Sequence, residues 1–325
     1  MPTNYLYGTI LTGEAVAANN RGDNIGNTTT LQKVFHQDDV HTSVSAESIR
    51  FAIRYRFQLE GLDVNRSYDS ELNKLFYQDE ARSYWNTSDK KYIDDDLMGF
   101  MDAKAAKAEK EGETDESDEP EESKTKKKKP KGISFVRTSP LAIGRAVSLR
   151  PYRGELSFNA VSGEKAKGKL SLYNAEMHTT EYQYSFGLSL NDVKEKENIG
   201  HLIDAVIDPP HVAGNHSRFA YDFSPASIVL RVTNTHSSKI QNCFEHDEDN
   251  RTFTAQKLVQ RVKSKDIPAD ELIIGGEIAD TEEGAELKTL GVTVFNGVIE
   301  AAQEAENRIA NMDEAFAVLN KDGEK

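Results

Sequence analysis

Cysteine is almost absent: Cys243 is the one cysteine in 325 residues. A disulfide framework and a cysteine-built zinc site are both excluded, which leads to the expectation of a reducing, cytoplasmic location. Long apolar runs are lacking as well. No stretch approaches the ~20 residues that cross a bilayer, and Met1-Pro2-Thr3-Asn4-Tyr5 does not lead from a basic segment into a hydrophobic one, so neither membrane association nor secretion is expected. Hydrophobic residues make up 37% of the chain and charged residues 29%, with a mean hydropathy of −0.63. Long solvated segments are therefore expected beside a core that a chain of this length can build. There is no Walker A sequence, no dinucleotide fingerprint and no nucleophile elbow, so the common nucleotide-driven and hydrolytic enzyme classes have no support.

Positive charge is also in deficit, with 40 Lys+Arg against 54 Asp+Glu and a formal charge of −14. As an average, that sign argues against a partner made of phosphates. Its placement argues differently. Residues 109–123 carry nine acids and one lysine, residues 124–131 (KTKKKKPK) are six-fold positive, and residues 276–325 hold twelve acids and four bases. Without these blocks the remainder is at −4, close to neutral, and residues 131–170 contain eight bases against Glu155 and Glu164. A basic surface is thus available on an acidic protein. The charged run at 105–131 has too little apolar surface to offset its ordering entropy and is expected to be a solvated loop.

What is present reads as an α+β chain. Residues 4–16 alternate and are rich in β-formers, which predicts a long strand, followed by a polar loop through AANNRGDNIGNTTT. A helix is predicted over about 44–58, capped by Ser43 or Ser45, with Ala46, Ile49, Ile53 and Phe57 on its apolar face. A short helix is expected from Asp69 to Trp85, strands at 143–150, 168–175, 178–190 and 226–234, and an irregular loop at 201–218. Helices are expected at 251–263 and 293–319. The element order predicts a sheet with helices on one face.

The start of the first helix carries the best chemistry. His41-Thr42-Ser43-Val44-Ser45 precedes it, Asn19-Asn20-Arg21 lies upstream, and Arg50 and Arg54 follow at one and two turns. Free amides, hydroxyls and guanidinium groups in that arrangement suit a phosphate backbone. The plain alternative is that the serines only cap and both arginines are solvated. Metal ligands are thinly represented: His211 with His216 and Cys243 with His246 lack the further ligands of a complete site, and Asp38-Asp39 and Asp94-Asp95-Asp96 could hold a divalent cation but are commonly just loop or capping carboxylates, so no metal and no cofactor is expected.

Taken in order, NRGDNIGN, HTSVSAESIRFAIRYRF, DDDLMGFM, RTSPLAIGRAVSL and GNHSRFAYDFSPASIVLRVT resemble the DevR-type backbone subunit of type I-B CRISPR Cascade, a member of the RAMP superfamily. The resemblance spans about residues 4–320 and rests on the combination of motifs. It implies an RRM-like, ferredoxin-like palm formed by 1–60, 172–201 and 226–325, a finger or web insertion at 61–171 and a thumb loop at 202–225. It further implies a non-catalytic protein that polymerises along a CRISPR RNA (crRNA) with copies of itself. Other Cascade subunits, a target DNA strand paired to the crRNA and a recruited helicase-nuclease would complete the set of partners. The RNA-binding residues it implies are Asn19, Asn20, Arg21, His41, Ser43, Ser45, Arg50 and Arg54 in the palm, Arg137, Ser139 and Arg145 in the returning finger, and His216 and Arg218 in the thumb. Two alternatives remain: a metal-dependent RAMP endoribonuclease using Asp38 or Asp39, and a transcriptional autoregulator, although no helix-turn-helix is evident. The 105–131 loop departs from the family pattern.

Overall fold

The computed structural model describes residues 3–18, 21–103, 134–160, 172–213 and 221–322. They form a mixed α+β fold with helices α1 (Ala46–Leu59), α2 (Ile93–Met98), α3 (Asn198–Ile207), α4 (Gln256–Lys263), α5 (Glu282–Thr289) and α6 (Val298–Asp322). Among the described residues, nine strands make the main sheet. Its centre is the strand Tyr5–Thr12, which runs antiparallel to both neighbours, Tyr182–Ser189 and Pro225–Thr233. Beyond Tyr182–Ser189 lie Leu141–Ile143 and Ala146–Ser148, then Asp39–Val44 and the edge strand Lys33–His36. On the other side come Leu272–Gly276 and, parallel to it, Thr293–Phe295.

The alternation in the first strand has a direct structural consequence. Leu6 and Ile10 face a core built with Ile49, Ile53 and Phe57 of α1, Leu202 and Val206 of α3, and Ala301 and Ala305 of α6. Leu11 faces a second core on the opposite side, with Val229, Ile274, Leu258 and Val259 of α4, and Leu287 of α5. Helices thus cover both faces rather than the one expected. Each large aliphatic or aromatic side chain fully buried in these layers contributes roughly 1.5–3 kcal/mol. Among the described residues, no helix is long and apolar enough to cross a membrane.

Several local expectations change. The segment expected to be a helix between Asp69 and Trp85 is a hairpin of Arg66–Asp69 and Lys74–Tyr77, followed by a 3-10 turn at Ser83–Asn86. Asp69 accepts from the amides of Glu71 and Leu72, and Asn73 takes a positive φ of 51°, so local turn chemistry outweighs helical spacing. The loop expected over residues 17–30 (AANNRGDNIGNTTT) is in part a hairpin of Arg21–Ile25 and Thr28–Leu31, turning at Gly26 with φ 60°. The irregular stretch expected from 201 is helical as far as Ile207, because Ile199, Leu202, Ile203 and Val206 recur at helical spacing and pack on the core. His41 lies in a strand, since the chain turns at Gln37 and Asp38, both at positive φ, and returns as Asp39–Val44.

Candidate nucleic-acid interface

Ser45 is the helix cap: its Oγ accepts from the Ser48 amide at 3.2 Å, whereas Ser43 lies in the preceding strand. Glu47 sits in the first turn of α1. Beside this helix start, the short link between Leu141–Ile143 and Ala146–Ser148 carries Arg145, whose Nη1 donates to Ser43 Oγ at 3.2 Å and to Gln32 Oε1 at 3.3 Å. Arg145 is exposed. The structure therefore brings Ser43, Ser45 and Arg145 to one place and adds Gln32 to them, but Ser43 is itself buried at 1% exposure and of the four only Arg145 is exposed. Gln32 had no sequence signal, because its position depends on the Ser43 amide donating to its carbonyl at 2.9 Å.

His41 is not on this surface. It is 3% exposed, and its Nδ1 lies 2.7 Å from the carbonyl oxygen of Ser148. Burial holds its pKa below the ordinary value. Next to it, Thr42 Oγ1 meets His178 Nδ1 at 2.8 Å and the Tyr182 hydroxyl at 2.9 Å. Burial is also the largest cause that lowers the His178 pKa, to about 4. Both groups bind fewer protons when folded than when unfolded, so their contribution is intact above about pH 6.5 and is lost as pH falls towards 4. Urea unfolding of the wild type is expected to show a falling midpoint between pH 7 and pH 4.5, and His178→Gln a smaller fall. An equal fall in both proteins would refute the assignment to His178.

Arg50 and Arg54 are neither solvated nor turned outwards. Arg50 donates from Nη1 to the Leu141 carbonyl at 3.0 Å and from Nη2 to the Met98 carbonyl at 2.8 Å. The Arg54 Nε lies 3.3 Å from Asp94 Oδ2, and its Nη2 meets the Met98 sulfur at 3.3 Å. They tie α1 to α2. The three aspartates of α2 are buried: Asp94 and Asp95 both hold the segment at Asn65, and Asp96 holds the one at 194–198. Asp94 accepts from the amides of Asn65 and Arg66, and its carboxyl is pushed up by burial and by Asp95. Asp95 accepts from Asn65 Nδ2 and the Tyr84 hydroxyl. Asp96 accepts from the amides of Lys194 and Glu195 and from Asn198 Nδ2, and it lies 3.2 Å from Arg137 Nη2. Arg137 also donates to the Asp192 carbonyl and packs over Trp85 at 5.1 Å. Ser139 donates to the Leu97 and Leu141 carbonyls. The sequence order of DDDLMGFM and RTSPLAIG is thus a packing relation: the second motif closes over the first.

Asn19, Asn20, His216 and Arg218 lie outside the described residues, as does the side chain of Arg21, whose backbone opens the strand Arg21–Ile25. Asp38 and Asp39 are exposed at the tip of the hairpin before α1. Among the described residues, no group of three or more His, Cys, Asp or Glu is placed to hold a metal ion. Cys243 is buried, which pushes its thiol up to about 12.

Known proteins with this sequence and fold are consistent with one another. Two chains from solved assemblies superpose over 94% of this chain: one from "CRISPR RNA-guided surveillance complex, pre-nicking", with a TM-score of 0.61, 10% identity and all of that chain covered, and one from "CRISPR RNA-guided surveillance complex", with 0.57, 12% identity and 99% covered. These share the fold. A protein of Myxococcus xanthus (strain DK1622), "CRISPR-associated protein Cas7/Cst2/DevR", is 37% identical over 314 residues, which is 94% of this chain and 97% of that protein. The family model described as "CRISPR-associated negative auto-regulator DevR/Csa2" matches residues 10–265. With a family model matched over more than half of its length and a relative 37% identical over 94% of it, the chain belongs to the DevR/Csa2 family as a DevR-type Cas7 protein.

Proposed function

We propose that this chain is a non-catalytic backbone subunit of a type I-B Cascade, that copies of it polymerise along a crRNA, and that they hold its sugar-phosphate chain so that its bases pair with a target DNA strand. The observation that carries this reading is the 37% identity to a Cas7/Cst2/DevR protein over 94% of the chain. The strand order supports an RRM-like palm: in the order Pro225–Thr233, Tyr5–Thr12, Tyr182–Ser189 and the 141–148 strands, each strand is antiparallel to its neighbour, with α1 and α3 as the two crossover helices on one face. The 141–148 strands belong to this unit although they lie within 61–171; in this reading the rest of 61–171 is the finger, and the residues between α3 and Pro225 are the thumb. Other Cascade subunits and a helicase-nuclease recruited by the complex are the further partners in this reading.

The physics suits such a role. A guide has to be held without being read, so contacts to phosphate and sugar are the useful ones. Arg145 supplies an exposed guanidinium beside the α1 N-terminus, where free amides and the helix dipole favour an anion. Coexpression with the guide and partner subunits is expected to yield a multi-subunit particle holding RNA of uniform spacer-repeat length. Recovery as a nucleic-acid-free monomer would overturn the proposal. Arg145→Ala is expected to weaken binding to single-stranded RNAs of different sequence about equally and to reduce the salt slope by about 1. A loss confined to particular bases would count against backbone gripping.

A further inference from the structure

Tyr5 and Tyr7 stand on the sheet face opposite α1 and α3, two residues apart on the central strand. Their rings are stacked, with centroids 5.5 Å apart and planes at 14°, and the His236 ring meets Tyr5 edge-on at 5.3 Å. Both tyrosines are only partly buried, although Tyr7 leans on the second core. Their hydroxyls are already used: Tyr5 Oη lies 2.7 Å from His236 Nδ1, and Tyr7 donates to the His236 carbonyl at 2.7 Å.

The floor beside this stack is flat. In the register across the sheet, Tyr7 is followed by Gly187 and then Ala142. A Cβ on Gly187 would come within 2.9 Å of the Tyr7 ring, so the missing side chain is what lets the ring lie over the neighbouring strand. Ser185 and Gly144 continue the floor, joined by a Gly144 amide to Ser185 carbonyl bond of 2.8 Å, and Gly144, Ala142 and Arg145 are exposed. From the tyrosine strand to the 141–148 strands is two strand spacings, about 10 Å. One margin is aromatic and the other carries the guanidinium of Arg145.

We infer that Tyr5 and Tyr7 form a stacking platform for an unpaired nucleobase of a single-stranded nucleic acid whose phosphates are drawn by Arg145. The inference rests on the RNA-binding reading above and assigns it a contact to a base rather than to the backbone. An aromatic face accepts any base, so such a contact holds a strand without selecting its sequence. A purely structural role makes a different demand. Fastening residue 236 needs the hydroxyls, whereas stacking needs the rings.

The test is equilibrium binding of the purified full-length chain to a single-stranded RNA of about 30 nucleotides, with Tyr5→Phe/Tyr7→Phe and Tyr5→Leu/Tyr7→Leu double variants. The Leu variant is expected to lose about tenfold or more in affinity with an unchanged salt slope, the Phe variant to stay within about twofold, and an abasic oligomer to bind wild type and Leu variant alike. Ultraviolet crosslinking of the wild type is expected to attach RNA to the peptide containing Tyr5 and Tyr7. If the Phe variant loses as much as the Leu variant, the hydroxyl bonds are what matter and the platform is refuted. If the wild type binds RNA but the Leu variant binds equally and nothing crosslinks at residues 5 and 7, this inference fails while the RNA-binding reading stands. If the wild type binds no single-stranded RNA, that reading fails with it.

Discussion

Asp96→Ala is expected to reduce the unfolding free energy by about 3–5 kcal/mol, read as a lower urea midpoint, because it removes one partner from a buried charged cluster. Asp96 is 0% exposed. Its two oxygens accept from the amides of Lys194 and Glu195 and from Asn198 Nδ2, and Arg137 lies 3.2 Å away with its side chain 14% exposed. Alanine leaves those amide donors without their acceptor and takes the carboxylate away from the Arg137 guanidinium, which keeps only its bonds to the Asp96 and Asp192 backbone carbonyls. Asp96→Asn keeps the shape and one acceptor oxygen but turns an amide NH2 towards donors, so a smaller loss of the same sign is expected. An unfolding free energy within about 0.5 kcal/mol of wild type for the alanine variant would show that the cluster is dispensable.

Gly99→Ala is expected to cost about 3 kcal/mol for a backbone reason. Gly99 has φ 64° and ψ 178°, a region that is essentially restricted to glycine, and strain there costs about 1–3 kcal/mol. A Cβ at this position would lie 2.3 Å from the Arg137 carbonyl oxygen and 2.7 Å from the Ser139 amide nitrogen, so the returning arm would also have to move. Gly13→Ala is the matched control. A Cβ there meets nothing within 4 Å, and a change within about 0.5 kcal/mol is expected. If both alanines behave alike, the close approach at Gly99 is not what fixes the arm. Because Gly99 and Asp96 hold the same junction, their effects are expected to be less than additive in the double variant.

The first strand, α1 with its Ile49–Ile53–Phe57 face, the strand at 225–233 and the final helix from Val298 on were legible because each has an apolar pattern that matches its own period, although the helix expected from 293 overruns the strand Thr293–Phe295. The Ser45 cap was legible up to the choice between two serines. α3 carries the same kind of signal in Ile199, Leu202, Ile203 and Val206, but the Pro209-Pro210 pair just beyond its end is a loop signal that competes with so short a helical pattern. The hairpin at 66–77 was not legible as such, since its register is set by an aspartate turn and by Gln58 bonding both to the Tyr68 amide and to its carbonyl.

Polar residues were the harder part. His41, Arg50, Arg54 and Arg137 have the composition of an RNA groove, yet in the folded chain they bond to Ser148, Leu141, Met98, Asp94 and Asp96. Ser43 and Arg145 meet at 3.2 Å with Arg145 exposed. The sequence by itself determined the α+β class, the separation of charge into blocks and, through motif order, membership of the DevR/Csa2 family. Only the tertiary structure decided which polar groups face inwards. Apolar burial is a property of a residue's own period along the chain, but the cost of burying a charge is offset only by partners, and those of Asp96 lie 41 to 102 residues away.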